Sequence, residues 1–210
     1  TKNAETLYKE TREFAEKGPI RGLMPQTTQI SPAMKKLSQL KLGATKVKFF
    51  GNLKFTQSEN EKITTTYSLK NFISSKKIWC ASSTHKTEEE FCGVVHKKLK
   101  TKYKNLLTII IPRHIERAKK IENELKNLGL KIHLHEPKSQ INNNTDIYIV
   151  NAYGKTKSFY NNCKNIFLGG SLIKHGGQNP LEATRYGCNI LHGPYVDNFK
   201  EIYNFLKIKK

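Results

Sequence analysis

Residues 169–187 read GGSLIKHGGQNPLEATRYG and follow directly on the apolar run Ile166, Phe167, Leu168. The pattern predicts a buried strand, a glycine-dense loop and a capped helix, a unit from which open α/β sheets are built. Asn179 suits the N-cap, Pro180 the first helical position, where its missing N–H costs nothing, and Glu182 the N3 position of a capping box. Gly187 then ends the helix. A loop able to take positive φ that feeds N–H groups to a helix N-terminus is a ready anion site. Gly169, Gly170, Gly176 and Gly177 bracket this loop, with Ser171 and His175 as donors, which points to a phosphorylated or otherwise anionic ligand.

Outward from that unit, short apolar runs alternate with amphipathic ones from residue 76 onward. Strands are predicted at 77–81, 106–111, 131–135, 146–150, 165–168 and 189–191. Helix-period stretches lie at 88–99, 115–128, 156–163 and 180–186, with 198–208 after the last strand. Such alternation predicts a mainly parallel, Rossmann-like sheet of about six strands with helices on both faces. We assign it to residues 46–197, followed by a terminal helix and basic tail at 198–210. In this class ligands bind at the carboxyl ends of the strands. Upstream, helices are expected at 4–17 and 31–40 and a strand at 46–50, with residues 1–45 read as a connecting segment.

Composition bounds the function classes. The 210 residues are 37% hydrophobic, enough for one sizeable core, and contain no apolar run near the ~20 residues that span a bilayer. No signal-peptide pattern opens the chain. The formal net charge is +20, from 37 Lys plus Arg against 17 Asp plus Glu, which invites a nucleic-acid or anionic-membrane partner. The lysines are spread among many Asn and Ile, as compositional drift would also produce, and no reader motif or stacking aromatics accompany them. We therefore expect no nucleic-acid partner. Cys80, Cys92, Cys163 and Cys188 lie far apart with no C-x-x-C spacing, which predicts reduced, buried thiols and no metal site.

Two further groups could carry chemistry. Ser83, Thr84 and His85 follow the first strand and add hydroxyl and imidazole donors beside a helix N-terminus, with Thr87 and Glu90 spaced as a capping box. Arg113 and His114 follow the second strand; arginine is the side chain best shaped for a two-point hold on a phosphate or carboxylate. Arg117 reads as lining the first turn of the next helix.

Several segments, in order, resemble one family. They are PQTTQ at 25–29, LGA at 42–44, GNLKF at 51–55, ASSTHKTEEE at 81–90, PRHIER at 112–117, GGSLIKHGGQNPLEA at 169–183 and GPYVDNF at 193–199. Together they resemble the carboxyl-terminal half of the bacterial 3-deoxy-D-manno-octulosonic acid (Kdo) transferases, glycosyltransferases of the GT-B architecture. The resemblance implies a donor site for CMP-Kdo that uses Lys54, Ser83, Thr84, His85, Arg113, His114, Gly154, Ser171, Gly176, Gly177, Asn179 and Glu182, with Glu182 on the ribose hydroxyls. It implies no cofactor, metal-independent transfer to a lipid A precursor, and a peripheral location on the anionic cytoplasmic face of the inner membrane. It also implies that an amino-terminal acceptor domain, holding the general base, is missing from a chain that opens on Thr1, so that this chain alone binds donor without turnover. The sequence departs from the family where an acidic DTxGEL-like segment becomes Asn151, Ala152, Tyr153, Gly154, Lys155 and Thr156, and where a second histidine becomes Gln178. These departures leave a non-catalytic donor-binding module as the rival expectation, ahead of a basic nucleic-acid binder.

Overall fold

The six apolar runs join into one sheet. A computed structural model describes residues 67–136 and 140–208. Expected elements between residues 1 and 66, the residue Lys54, and the tail residues Lys209 and Lys210 lie outside the described residues. The strands are β1 (Lys77–Thr84), β2 (Leu106–Pro112), β3 (Ile132–Leu134), β4 (Ile147–Ile149), β5 (Asn165–Leu168) and β6 (Asn189–Leu191). Every neighbouring pair is parallel, in the order β3-β4-β2-β1-β5-β6. All seven residues of β2, LLTIIIP, are buried, as a strand covered on both faces requires.

Helices α1 (Tyr67–Ser74), α2 (Glu88–Lys102), α3 (Ala118–Asn127), α4 (Thr156–Tyr160) and α5 (Leu181–Arg185) supply the covers. Alternation along β2 sorts the core into two layers. Leu107, Ile109 and Ile111 pack with Leu69, Phe72 and Ile73 of α1, Phe159 and Tyr160 of α4 and Ala183 of α5. Ile110, with Ile147 and Ile149 of β4, packs with Cys92 of α2 and with Ala118, Ile121 and Leu125 of α3. All four cysteines are buried and free.

Boundaries differ from the sequence reading in ways that have local causes. The helix expected from residue 115 opens as a 3-10 turn, Ile115–Arg117, before α3. The capping box of Thr87 and Glu90 does not form: Thr87 enters α2 from left-handed backbone (φ 79) without a side-chain cap bond. Glu88 reaches back instead, to the N–H of His85 at 2.9 Å. Helix α5 starts one residue later than expected, and Asn179 Oδ1 accepts the Leu181 N–H at 3.1 Å. Gly187, at φ 68, ends that helix as expected. Helix α1 was not anticipated.

The described residues fall into two compact units, one containing residues 67–196 and the other containing Asp197–Ile208. The second holds a 3-10 turn, Asp197–Phe199, and α6 (Lys200–Ile208). No helix among the described residues is long and apolar enough to cross a membrane.

Candidate functional site

The strand order puts a reversal of chain direction beside β1. The chain leaves β1 towards β2, β3 and β4 and returns to β1's other side as β5, so the crevice of the fold opens at the carboxyl ends of β1 and β5. The two ends touch. Gly169 N–H bonds Ser82 O at 2.8 Å, and a Cβ on Gly169 would stand 2.3 Å from Ser83 O and 2.6 Å from Thr84 Cα, so only glycine fits. The β1–β2 register slips between Ser82 and Thr84, and Ser83 sits at φ 55 in that irregularity. A bulge beside a crevice re-aims the side chains that follow it. Thr84 is fully buried, its hydroxyl finds no hydrogen-bond partner among the described residues, and its carbonyl accepts the Arg113 N–H at 3.0 Å.

That last bond brings the ends of β1 and β2 together. Arg113 and His114 are exposed there. The His85 ring lies 6.0 Å from His114 and 4.3 Å from His175, and its Nε2 is 3.4 Å from Gln178 Nε2. Burial holds His85 below the usual histidine range, and the neighbouring His175, His114 and Arg113 add to this while Glu88 opposes it. An anion entering this mouth meets a guanidinium and three imidazole rings. Arg117 is elsewhere, locked bidentate on the buried Glu89 at 2.9 and 3.2 Å.

The glycine loop is organised differently from the sequence reading. The N–H groups of Gly170, Ser171 and Leu172 converge on the Glu88 carboxylate at 2.7, 3.1 and 3.0 Å, so they are occupied by the protein's own anion. Ser171 is fully buried; its hydroxyl donates to Leu168 O at 2.5 Å and accepts the Gly193 N–H at 2.9 Å, while its carbonyl takes the Tyr195 N–H at 2.9 Å. It ties the segment 193–195 beneath the loop instead of facing the crevice. Gly176 and Gly177 take the positive φ expected of them, 94 and 79, and the Gly177 N–H closes the loop on Gly170 O at 2.8 Å. Glu182 stands half-buried in the first turn of α5, near Tyr160, whose hydroxyl pairs with Ser82 Oγ at 2.7 Å and whose pKa is raised chiefly by burial, with Glu182 adding a smaller push. Gly154, at φ 71, lies exposed in the turn after β4.

Glu88, which ties the glycine loop to the end of β1, is the residue of this site that sequence reasoning missed. The signal available was the run Glu88, Glu89, Glu90 after a strand, in which only the third was assigned a task.

No family model matches the chain. Among curated proteins it is 33% identical over 165 residues to the 3-deoxy-D-manno-octulosonic acid transferase of Haemophilus influenzae, covering 77% of this chain and 38% of that protein. It is 33% identical over 166 residues to the enzyme of the same name from Aquifex aeolicus, covering 79% and 43%. The chain thus spans about two-fifths of the length of these relatives. Among solved structures it superposes on the C-terminal CMP-Kdo binding domain of WaaA from Acinetobacter baumannii with a TM-score of 0.60 and 26% identity, over 67% of this chain and 74% of that one.

Proposed function

We propose, from the premise that this chain corresponds to the carboxyl-terminal half of the Kdo transferases of GT-B architecture, that it is the donor-binding half of such an enzyme and holds CMP-Kdo. The observation that carries this reading is the meeting of Ser83, Thr84 and His85, Arg113 and His114, and the loop from Gly170 to Gln178 at the reversal point of the sheet. A CMP-linked acidic sugar carries a phosphate and a carboxylate, and Arg113 offers a two-point hold to either. Donors fixed before the reaction stabilise the charge that develops as the CMP phosphate departs, at no cost in reorganisation.

The wider reading is transfer of Kdo to a lipid A precursor, by an assembled enzyme lying peripherally on the anionic cytoplasmic face of the inner membrane. The general base that activates the acceptor hydroxyl then comes from an amino-terminal half. Calorimetric titration with CMP tests the donor site: saturable one-to-one binding is expected, and its absence would overturn the reading. Mixing with an amino-terminal half from a relative tests the activity, since transfer from CMP-Kdo is expected of the pair and not of the chain alone. Binding by the pair without transfer would favour the non-catalytic module, which the basic and neutral replacements Lys155 and Asn151 after β4 support.

A further inference from the structure

Glu88 is 1% exposed, and a carboxylate buried this deeply is costly unless its oxygens are fully satisfied. Here each oxygen takes two backbone N–H groups. Oε2 accepts from His85 at 2.9 Å and Gly170 at 2.7 Å, and Oε1 from Ser171 at 3.1 Å and Leu172 at 3.0 Å. Three consecutive N–H groups converging past a positive-φ residue, Gly170 at φ 66, form an anion-binding nest. We infer that Glu88 is a positioning residue of the donor site: its carboxylate stands in for a bound anion in the nest of residues 170–172 and holds the glycine loop in its binding shape before a ligand arrives. The inference rests on the donor-site reading above and adds a division of labour to it.

The geometry supports this in two ways. Ordering a glycine-rich loop is entropically expensive, and a site whose loop is already fixed does not spend ligand affinity on that step. One side chain also sets two walls of the crevice at once. Glu88 fixes the backbone of His85 at the end of β1 and the loop that leads to His175 and Gln178, and those two side chains in turn lie against the His85 ring. With the nest filled from within, the ligand's phosphate falls to the side chains Arg113, His85 and His175, not to the N–H groups of residues 170–172.

The test uses the full 210-residue chain and its Glu88→Gln and Glu88→Asp variants, each followed by amide hydrogen exchange and by CMP titration well below the melting temperature. Glutamine turns one acceptor into a donor facing N–H groups. The amides of Gly170, Ser171 and Leu172 are expected to exchange at least about tenfold faster in Glu88→Gln while those of β1 and β2 keep their protection, and the Kd for CMP to rise about tenfold or more. Glu88→Asp, which keeps the charge, is expected to fall between parent and Glu88→Gln on both readouts, and carries the test alone if Glu88→Gln does not fold. Unchanged exchange at residues 170–172 overturns the proposal. Faster exchange with unchanged CMP affinity also overturns it, leaving Glu88 a purely stabilising role. A parent that binds no CMP defeats the donor reading, and the exchange data then still decide whether Glu88 fixes the loop.

Discussion

Arg113 and His96 show how position decides what a charged or titratable side chain does. Arg113 is exposed at the end of β2, anchored through its own N–H to Thr84 O at 3.0 Å, so its guanidinium is presented without being consumed. Truncating it leaves the backbone bond intact, and Arg113→Ala is expected to weaken CMP binding by about 1.5–3 kcal/mol, the scale of one charge-assisted hydrogen bond, in a calorimetric titration. Affinity equal to that of the parent would remove Arg113 from the site. His96 is the opposite case. It is fully buried on α2, pairs through Nδ1 with Thr108 Oγ1 at 2.8 Å, and has Nε2 3.6 Å from Asp146 Oδ1. Burial above all, and then Lys100, pushes its pKa down to about 4. A histidine whose folded pKa lies below its unfolded value stabilises the fold in its neutral form. That stability is fully present above about pH 6.5 and is lost as pH falls towards 4, by roughly 3 kcal/mol at 1.36 kcal/mol per unit. Denaturant unfolding at stepped pH checks this, because a variant such as His96→Asn is expected to show a flatter curve over that window.

At the level of elements, the fold was legible wherever the information was local. Each strand is a short apolar run bounded by polar residues, and each was read from its own residues. Helix α1 was missed because its core contacts, Leu69, Phe72 and Ile73, make a single helical repeat within eight residues, too short to stand out by period. The glutamate run shows a deeper limit. Glu88, Glu89 and Glu90 are equivalent as sequence, yet the fold buries the first in the glycine loop, pairs the second with Arg117 and leaves the third exposed. The partners of Glu88 in the loop are 82 to 84 residues away, so no spacing rule could have chosen it. The contact between β1 and the loop after β5 was equally invisible, because a glycine read as turn-forming is in fact required by close approach. Gly169→Ala would press a methyl into the backbone of Ser83 and Thr84, at a cost of about 3 kcal/mol and a fall of roughly 6–12 °C in Tm. A melting curve unchanged from the parent would mean that the two strand ends separate easily.

At the scale of the whole chain, the formal net charge is +20. Within the sheet unit, lysines gather where β1 begins and α2 ends. There Lys77 and Lys102 both lie over the Tyr103 ring, at 4.4 and 5.5 Å, and Asp146 is paired with Lys100. Burial, followed by the charges of Lys131 and Lys76, lowers the pKa of Lys100 itself. Lys100 and Lys102 in the last turn of α2 complement the helix dipole, which offsets part of this repulsion. Raising salt from about 20 to about 200 mM shortens the screening length from roughly 20 to roughly 7 Å, so Tm is expected to rise by a few degrees. The proposed peripheral membrane location makes an opposing demand, because attraction to anionic lipid falls as salt rises. Truncation after Leu206 separates two sources of that attraction. It removes Lys207, Lys209 and Lys210 and leaves the strand-start lysines in place. At about 1 kcal/mol per lysine near the surface, a tail in lipid contact is worth up to ~3 kcal/mol, or a loss of roughly 100-fold in affinity for phosphatidylserine-containing vesicles at low salt. Equal vesicle affinity in the truncated chain would exclude the tail as the source of the attraction. No measurable vesicle binding by either chain, with the salt-dependent rise in Tm retained, would leave the charge acting on stability alone.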